Sequence, residues 1–193
     1  PAQDRQIRVD GVKVTIVHEA YEERDAAGNL VSPQDYLAKV RGEIMQVVRS
    51  LTELQAWWVD PLRRKELLAA LEQHQVALDV LVEILARPDA DAYDILAHLA
   101  FDEPLVSREQ RAVAFFNLHQ DFLAKYDDRA REILKVLVEK YTLGGLDEVL
   151  DPDVYRLRPI HQEAAQVARL FGGMPQLKLA RNELIRRLYG NPA

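Results

Sequence analysis

The sequence contains no cysteine. Disulfide bonds, cysteine-based zinc sites and a thiol nucleophile are therefore excluded, and a reducing, cytoplasmic location is compatible with this absence. A long apolar run is also missing, because the most apolar segment, residues 76–86, contains Asp79 and Glu83, whereas a membrane-spanning helix needs roughly 20 apolar residues. The sequence opens with neither an initiator Met nor a secretory signal, so we interpret the chain as a processed protein or an excised fragment.

Glycine, proline and aromatic residues are scarce as well: the 193 residues include 8 Gly, 9 Pro and 7% aromatic side chains. Hydrophobic residues make up 48% and charged residues 29% of the chain, which is an ordinary globular composition. A disordered or collagen-like chain is therefore excluded. A chain of this length buries roughly 70% of its unfolded surface, so we expect a compact core without crosslinks.

Charge is distributed unevenly along the chain. The net charge is −6, but residues 154–193 contain seven basic and two acidic side chains, for a local charge of +5. A basic C-terminal quarter on an acidic body indicates a docking surface for a negatively charged partner. The alternative, which we favour from the sequence, is that the two parts attract each other within the fold.

The first 31 residues have a β pattern. Residues 6–17 alternate apolar and polar side chains around Asp10-Gly11, and this dipeptide between alternating runs predicts a β-hairpin with a tight turn. We therefore predict a division into a β-ribbon over residues 1–31 and an α-helical domain over residues 32–193. The expected fold class is mainly α, a compact multi-helix domain with a small N-terminal β-hairpin.

From Ser32 onward the apolar residues recur at helical spacing. Ser32 and Pro33 are typical of a helix start, and the pair Gly144-Gly145 is a stop signal. Residues 133–141 are apolar around most of the helix circumference, so this helix is expected at the centre of the domain. Ser50 with Glu53 is typical of another capping box. Further helices are predicted over residues 61–74, 76–86, 91–101, 107–125, 129–143, 160–171 and 175–189.

Motifs for catalysis are absent or weak. No phosphate-binding glycine loop, dinucleotide-binding turn, nucleophile elbow or paired metal-binding histidine motif is present. His98 follows Asp94 by one helical turn, which could form a base with its orienting carboxylate, but a packing histidine is the favoured interpretation. Asp89 and Asp91 could serve metal-dependent chemistry, but aspartates at a helix start more often cap amides. We therefore disfavour a stand-alone enzyme that uses these residues.

Two aromatic pairs are better explained by packing than by ligand binding. Trp57 and Trp58 could stack on nucleic-acid bases. Neighbouring helical residues point about 100° apart, however, and cannot readily form one flat platform. We therefore expect a core contact at a helix end, and likewise for Phe115 and Phe116.

Three segments resemble the C-terminal helical domain of the R (restriction and translocation) subunit of type I restriction-modification enzymes, in the EcoEI-like branch. The similarity is clearest around LAHLAF (residues 96–101) and RLFGG (residues 169–173), and the Val-rich hairpin and the SPQDY helix start also fit. The three segments, in order, are residues 83–111, 122–141 and 168–189.

The resemblance implies a function as part of a larger enzyme. It implies a parent subunit with a nuclease and an ATP-driven DNA translocase, which work with methyltransferase and specificity subunits. ATP and Mg²⁺ would bind to that parent subunit, and no catalytic, cofactor or metal site is expected in this chain. The expected role is to dock the motor onto the methyltransferase-specificity core, with the β-ribbon leading to the motor domains.

A DNA-binding module that contacts duplex phosphates through the basic C-terminal segment is the alternative. Neither role requires a membrane partner. The candidate residues for contact with the partner or DNA are Arg156, Arg158, Lys178, Arg186 and Arg187.

Overall fold

A computed structural model describes residues 32–190 and the backbone of two short strands, β1 (Arg5–Val9) and β2 (Val12–Ile16). The two strands are antiparallel. The Asp10-Gly11 turn lies outside the described residues, so the predicted β-hairpin stays a prediction. Residues 32–190 are mainly helical and contain no sheet, which confirms the mainly α fold class.

The backbone contacts group the chain into two units, Pro1–Lys39 and Val40–Ala193. The first helix spans this division. The predicted boundary between residues 31 and 32 therefore stays a prediction. The second unit contains every residue of the candidate surfaces described below.

The helices follow one another with short connections. A single 3-10 turn, Val154–Arg156, lies between the ninth and tenth α-helices. In chain order the α-helices are α1 (Pro33–Val47), α2 (Leu51–Trp58), α3 (Pro61–Gln73), α4 (Leu78–Ile84), α5 (Ala92–Phe101), α6 (Arg108–Leu118), α7 (Gln120–Leu123), α8 (Asp128–Gly144), α9 (Leu146–Leu150), α10 (Ala164–Leu170) and α11 (Met174–Tyr189).

Polar side chains cap the first turns of several helices, because they accept hydrogen bonds from amides that have no partner inside the helix. Ser107 forms a full capping box, in which its hydroxyl accepts from the Gln110 amide and the Gln110 side chain accepts from the Ser107 amide. Asp91 was predicted as a cap, and its carboxylate accepts from the Tyr93 amide. The other side-chain caps include Ser32, Ser50, Asp60, Asp127 and Glu163.

Two predicted helices differ from the structure. The predicted helix 107–125 is wrong as a single element, because His119 at φ −120° and ψ 32° separates α6 from α7. The predicted helix 160–171 begins late, at Ala164, since His161 has a left-handed φ of 51° and Glu163 forms a capping box with Gln166. The short helix α9 was not predicted.

Helix α8 lies at the centre of the domain, as its all-round apolar pattern predicts. It packs against α6, α9 and α10. On its inner positions Leu134, Leu137, Val138 and Tyr141 are fully buried. Helix α11 packs on α6 and α10 through a buried stripe that contains Leu177, Ala180, Leu184 and Leu188, as predicted. Among the described residues, no helix is both long and apolar enough to cross a membrane.

Candidate interaction surfaces

Arg156 and Arg158 lie at the end of the 3-10 turn, and both are exposed. The Arg156 guanidinium is 2.9 Å from Asp153 Oδ1 and 2.8 Å from Glu163 Oε2. Its hydrogen bond to Glu163 raises the pKa of Arg156. Arg158 makes no ion pair with any residue between 32 and 190. Of these two predicted contact residues, therefore, only Arg158 carries an uncompensated charge in the described structure.

Arg187 is held inside the fold by two acidic side chains. Its guanidinium is 3.0 Å from Glu183 Oε1 on the same helix and 3.4 Å from Asp121 Oδ2 on α7. The guanidinium also lies over the Phe122 ring, 5.1 Å from its centroid, and 3.3 Å from His119 Nδ1. Arg187 thus ties α11 to α7 rather than presenting its charge to solvent.

Lys178 and Arg186 are exposed on α11. They are eight residues apart, which places them about 80° apart on the helix surface. Within the described part of the chain neither side chain has an ionic partner. Arg181, by contrast, is half-buried near Tyr155, where its charge opposes the burial that raises the pKa of the Tyr155 hydroxyl. The structure therefore brings Lys178 and Arg186 together on one exposed side.

A buried polar cluster joins α5, α6 and α11. We call it the polar junction; it consists of Asp91, Asp94, Arg111 and Tyr189. Asp91 and Asp94 are each 3% exposed. Besides capping α5, the Asp91 carboxylate accepts a hydrogen bond of 3.0 Å from the Tyr189 hydroxyl.

Arg111 is the central residue of the polar junction. Its Nε donates to Asp94 Oδ2 at 3.1 Å, and one terminal nitrogen donates to Asp94 Oδ1. The other terminal nitrogen donates to the Leu188 carbonyl oxygen at 2.8 Å. The guanidinium also lies 5.3 Å from the centroid of the Tyr93 ring and 5.0 Å from that of Tyr189. One side chain therefore connects three helices.

Burial governs the ionisation of the polar junction. It raises the pKa of Asp94 to about 6, although the Arg111 hydrogen bonds and charge oppose that shift. Burial alone would lower the pKa of Arg111, but the hydrogen bond and charge of Asp94 raise it above its ordinary value. Burial also raises the pKa of Tyr189 and Tyr141. The cluster therefore holds one permanent cation, Arg111, against two buried carboxylates, and Asp94 is the one whose raised pKa lies within reach of ordinary pH.

The hypothetical pairing of His98 with Asp94 is not formed. His98 Nδ1 lies 2.8 Å from the Glu103 carbonyl oxygen, and Asp94 is engaged by Arg111. Trp58 is fully buried against Tyr93, with ring centroids 6.0 Å apart, which confirms the predicted core contact.

The aspartate pairs likewise have structural contacts. Asp89 forms an ion pair with Arg87. The hydrogen bond from Arg87 lowers the pKa of Asp89, although burial opposes that shift. Asp127 caps α8, and Asp151 accepts from the Asp153 amide. A search of the described residues found no group of three or more side chains suited to hold a metal ion.

A groove of about 310 Å³ opens beside the polar junction, between α6, the end of α11 and the loop after α5. We call it the α6 groove. Leu118, at its edge, is 51% exposed, and Val113, on the adjoining surface of α6, is 53% exposed. The residues that line the groove include Leu51, Glu103, Val106, Arg111, Ala114, Phe115, Leu118, Arg187 and Leu188.

The sequence analysis did not single out Arg111, Tyr189 or the α6 groove. The sequence does contain an indication of the polar junction, because Asp94 is the one acidic residue in the mainly apolar α5 segment AYDILAHLAF. Arg111 also lies four residues before the buried Phe115, on the inner side of α6. Opposite charges on the buried sides of two neighbouring helices predict an internal ion pair.

Comparison with known proteins identifies the family. The chain matches the family described as EcoEI R protein C-terminal over residues 34–189, most of its length. The chain belongs to this family. The chain is also 29% identical over 158 residues to the type I restriction enzyme EcoAI endonuclease subunit of Escherichia coli.

The EcoAI alignment covers 80% of this chain and 19% of that subunit, so the chain spans about a fifth of the relative's length. No solved structure matches this chain. The resemblance predicted from residues 83–111, 122–141 and 168–189 is therefore confirmed at the level of the family.

Proposed function

We propose that this chain is a docking and coupling domain, which anchors the motor of a type I restriction enzyme R subunit to its methyltransferase-specificity core. The observation that carries the proposal is the α6 groove with the exposed Leu118 at its edge and the exposed Val113 on the adjoining surface of α6, on a domain of the EcoEI R C-terminal family. Interfaces between proteins combine an apolar centre with a polar rim. Arg111 supports the role by fixing the groove wall to two other helices.

The proposed role assigns the chemistry to other parts of the parent subunit. The relative is named as an endonuclease subunit, and this chain aligns with only a fifth of it. We therefore propose that DNA cleavage and ATP-driven translocation, with ATP and Mg²⁺ as cofactors, belong to the remainder of the parent polypeptide. In this arrangement the helical domain transmits force between the motor and its anchor.

Calorimetry tests the docking function. The 193-residue chain is titrated into the purified methyltransferase-specificity complex of its own restriction system, and co-migration is measured by gel filtration. We expect saturable binding in the micromolar range or tighter, with one domain bound for each docking site. The same titration into the methyltransferase subunit alone shows whether the specificity subunit contributes. Absence of both heat and co-migration at high micromolar concentration would contradict docking.

DNA binding is a second candidate function, favoured by the exposed and ionically unpartnered Lys178 and Arg186. Binding to duplex phosphates would weaken with salt, with a log-log slope of roughly −0.9 for each phosphate engaged. The test is fluorescence anisotropy with a 20-base-pair duplex at several salt concentrations. Lys178→Glu combined with Arg186→Glu is expected to abolish binding, whereas Arg156→Gln should preserve it because Asp153 and Glu163 already neutralise that arginine. Unchanged affinity in the double variant would exclude this surface.

A further inference from the structure

The outward side of α6 is apolar at its centre and has no positive charge. Its exposed and half-buried outward positions are Glu109, Gln110, Val113, Ala114, Asn117 and Leu118. Gln110 is held in place by the capping box, since its Oε1 accepts from the Ser107 amide. Val113 and Leu118 are each more than half exposed. Exposed apolar side chains grouped beside a groove are typical of a protein contact.

The α6 groove is held in shape by the polar junction. Arg111 lies in its wall and is bonded to Asp94 on α5 and to the Leu188 carbonyl oxygen on α11. Phe115, which is buried, and Leu188 form part of its lining. Its volume of about 310 Å³ accommodates a few apolar side chains rather than a whole helix. A preformed groove lowers the entropy cost of binding.

The uncompensated charge around the groove is negative. The two cations in its wall are already neutralised, Arg111 by Asp94 and Arg187 by Glu183. Glu103 lines the groove and Glu109 lines the adjoining surface of α6. Neither carboxylate makes an ion pair with another residue in the 32–190 range.

We infer that the α6 groove and the adjoining α6 surface around Val113 bind an amphipathic helix of a partner protein, whose apolar side chains pack on Leu118 and Val113 and whose Lys or Arg side chains lie near Glu103 and Glu109. The apolar side chains fill the groove, and the basic side chains find the two carboxylates that have no ionic partner here. This inference rests on the proposed docking function and specifies its surface and the chemistry of its partner. A basic amphipathic helix in a groove is a recurrent mode of protein recognition.

The apolar part of the inference is tested with two pairs of substitutions. Val113→Asp with Leu118→Asp places one charge on the adjoining surface of α6 and one in the groove lining, whereas Leu143→Asp and Leu179→Asp change residues that are 70% and 66% exposed and lie on neither. In calorimetry against the methyltransferase-specificity complex, we expect the groove variant to bind about tenfold more weakly or worse. The two control variants are expected to bind within about twofold of the unchanged chain, since exposed positions outside an interface are nearly neutral.

The charge of the partner is tested with Glu103→Lys combined with Glu109→Lys. We expect this variant to bind about tenfold more weakly, with the loss reduced at high salt. Circular dichroism of each variant verifies that the helices and the unfolding transition are retained, and Glu103→Gln with Glu109→Gln gives an intermediate affinity. Unchanged or strengthened binding on charge reversal would show that the partner surface is not basic, which overturns the inference.

The two proposals fail in distinguishable ways. If the unchanged chain shows no binding, the docking function itself is wrong. If the unchanged chain binds and the Val113/Leu118 variant binds equally well, docking stands and the assignment of the α6 groove is overturned. Loss of binding in Leu179→Asp with retention in the Val113/Leu118 variant would move the interface to the exposed side of α11.

Discussion

Asp91 and Asp94 are both buried on α5, yet each carboxylate has a different reason to be there. Asp91 accepts from the Tyr93 amide and the Tyr189 hydroxyl, so its oxygens replace hydrogen bonds that water would give. The Arg111 guanidinium donates hydrogen bonds to the Asp94 carboxylate and compensates its charge. A buried charge that lost such partners would be costly, which makes these residues sensitive positions.

Replacing Asp91 with alanine is expected to destabilise the fold more than replacing an exposed cap. Loss of a helix cap costs about 0.5–2 kcal/mol, and Asp91→Ala also leaves the buried Tyr189 hydroxyl without its acceptor, which adds about 1–3 kcal/mol. Asp127→Ala removes only the cap of α8. Urea denaturation of both variants measures the difference. Equal losses of unfolding free energy in the two variants would show that the hydrogen bond from Tyr189 to Asp91 does not contribute to stability.

Asp94 is expected to make stability depend on pH. Because burial raises the pKa of Asp94 to about 6, the folded state binds a proton more readily than the unfolded state. The contribution of this carboxyl to the free energy of unfolding is therefore greatest below about pH 4 and falls as the pH rises through about 6. Asp94→Asn retains the shape but does not titrate.

The measurement is the free energy of unfolding of the unchanged chain and of Asp94→Asn at pH 5 and pH 7.5. The unchanged chain should gain stability relative to Asp94→Asn at the lower pH. Other titrating groups are common to both proteins, so their effects cancel. A relative gain at the higher pH would indicate that Arg111 dominates and that the pKa of Asp94 is lowered.

At the residue level, the sequence predicts local contacts better than distant ones. The caps Asp91 and Ser107 were predicted because their hydrogen bonds close within three residues. The bond between Asp91 and Tyr189 joins residues 98 positions apart. No local pattern specifies such a partner, since many orientations of the helices would bury the same apolar stripes.

Helix α8 ends where the backbone adopts a conformation that few residues other than glycine accept. Gly145 ends α8 at φ 77° and ψ −156°, a region that is nearly restricted to glycine. A Cβ atom at this position would lie 3.3 Å from Asp91 Oδ2. The glycine therefore permits both the turn into α9 and the close approach of the Asp91 carboxylate.

Two glycine-to-alanine substitutions are expected to have opposite effects. Gly42 lies inside α1, and a Cβ atom there would meet nothing within 4 Å, so Gly42→Ala should stabilise the helix by about 0.5–1 kcal/mol. Gly145→Ala should destabilise the fold by about 1–3 kcal/mol because its backbone becomes strained. Thermal denaturation compares the two. A stabilised Gly145→Ala would contradict the strained turn.

At the level of elements, the presence of a helix was easier to predict than the residues at which it begins and ends. The central α8 and the amphipathic α11 were predicted because their apolar patterns are long. The separation of α6 from α7 at His119 was missed, since neither Gly nor Pro marks it. Helix α9 was missed because its five residues are too few to show a period.

The charge asymmetry of the chain is partly resolved inside the fold. Arg187 binds Asp121 and Arg156 binds Asp153, so two basic residues of the C-terminal segment meet acidic residues of the preceding part. Lys178 and Arg186 remain on the surface. Attraction within the fold therefore holds for Arg187 and Arg156, whereas a docking surface at Lys178 and Arg186 stays a prediction.

The two groups of basic residues are expected to respond differently to neutralisation. Arg187→Gln should lower the unfolding temperature, because its half-buried guanidinium contacts Glu183 and the Phe122 ring. Lys178→Gln with Arg186→Gln should leave it within the small range typical of surface changes. Differential scanning calorimetry of the two proteins decides this. A larger loss in the Lys178/Arg186 variant would mean that these side chains stabilise the fold.

The polar junction has a consequence for synthesis on the ribosome. Asp91, Asp94 and Arg111 are made early, but the hydroxyl and the carbonyl that complete their bonding belong to Tyr189 and Leu188. Until that stretch has emerged from the exit tunnel, the Asp91 carboxylate lacks the hydroxyl donor of Tyr189 and the Arg111 guanidinium lacks the carbonyl acceptor of Leu188. Vectorial folding of this domain therefore ends with its last helix.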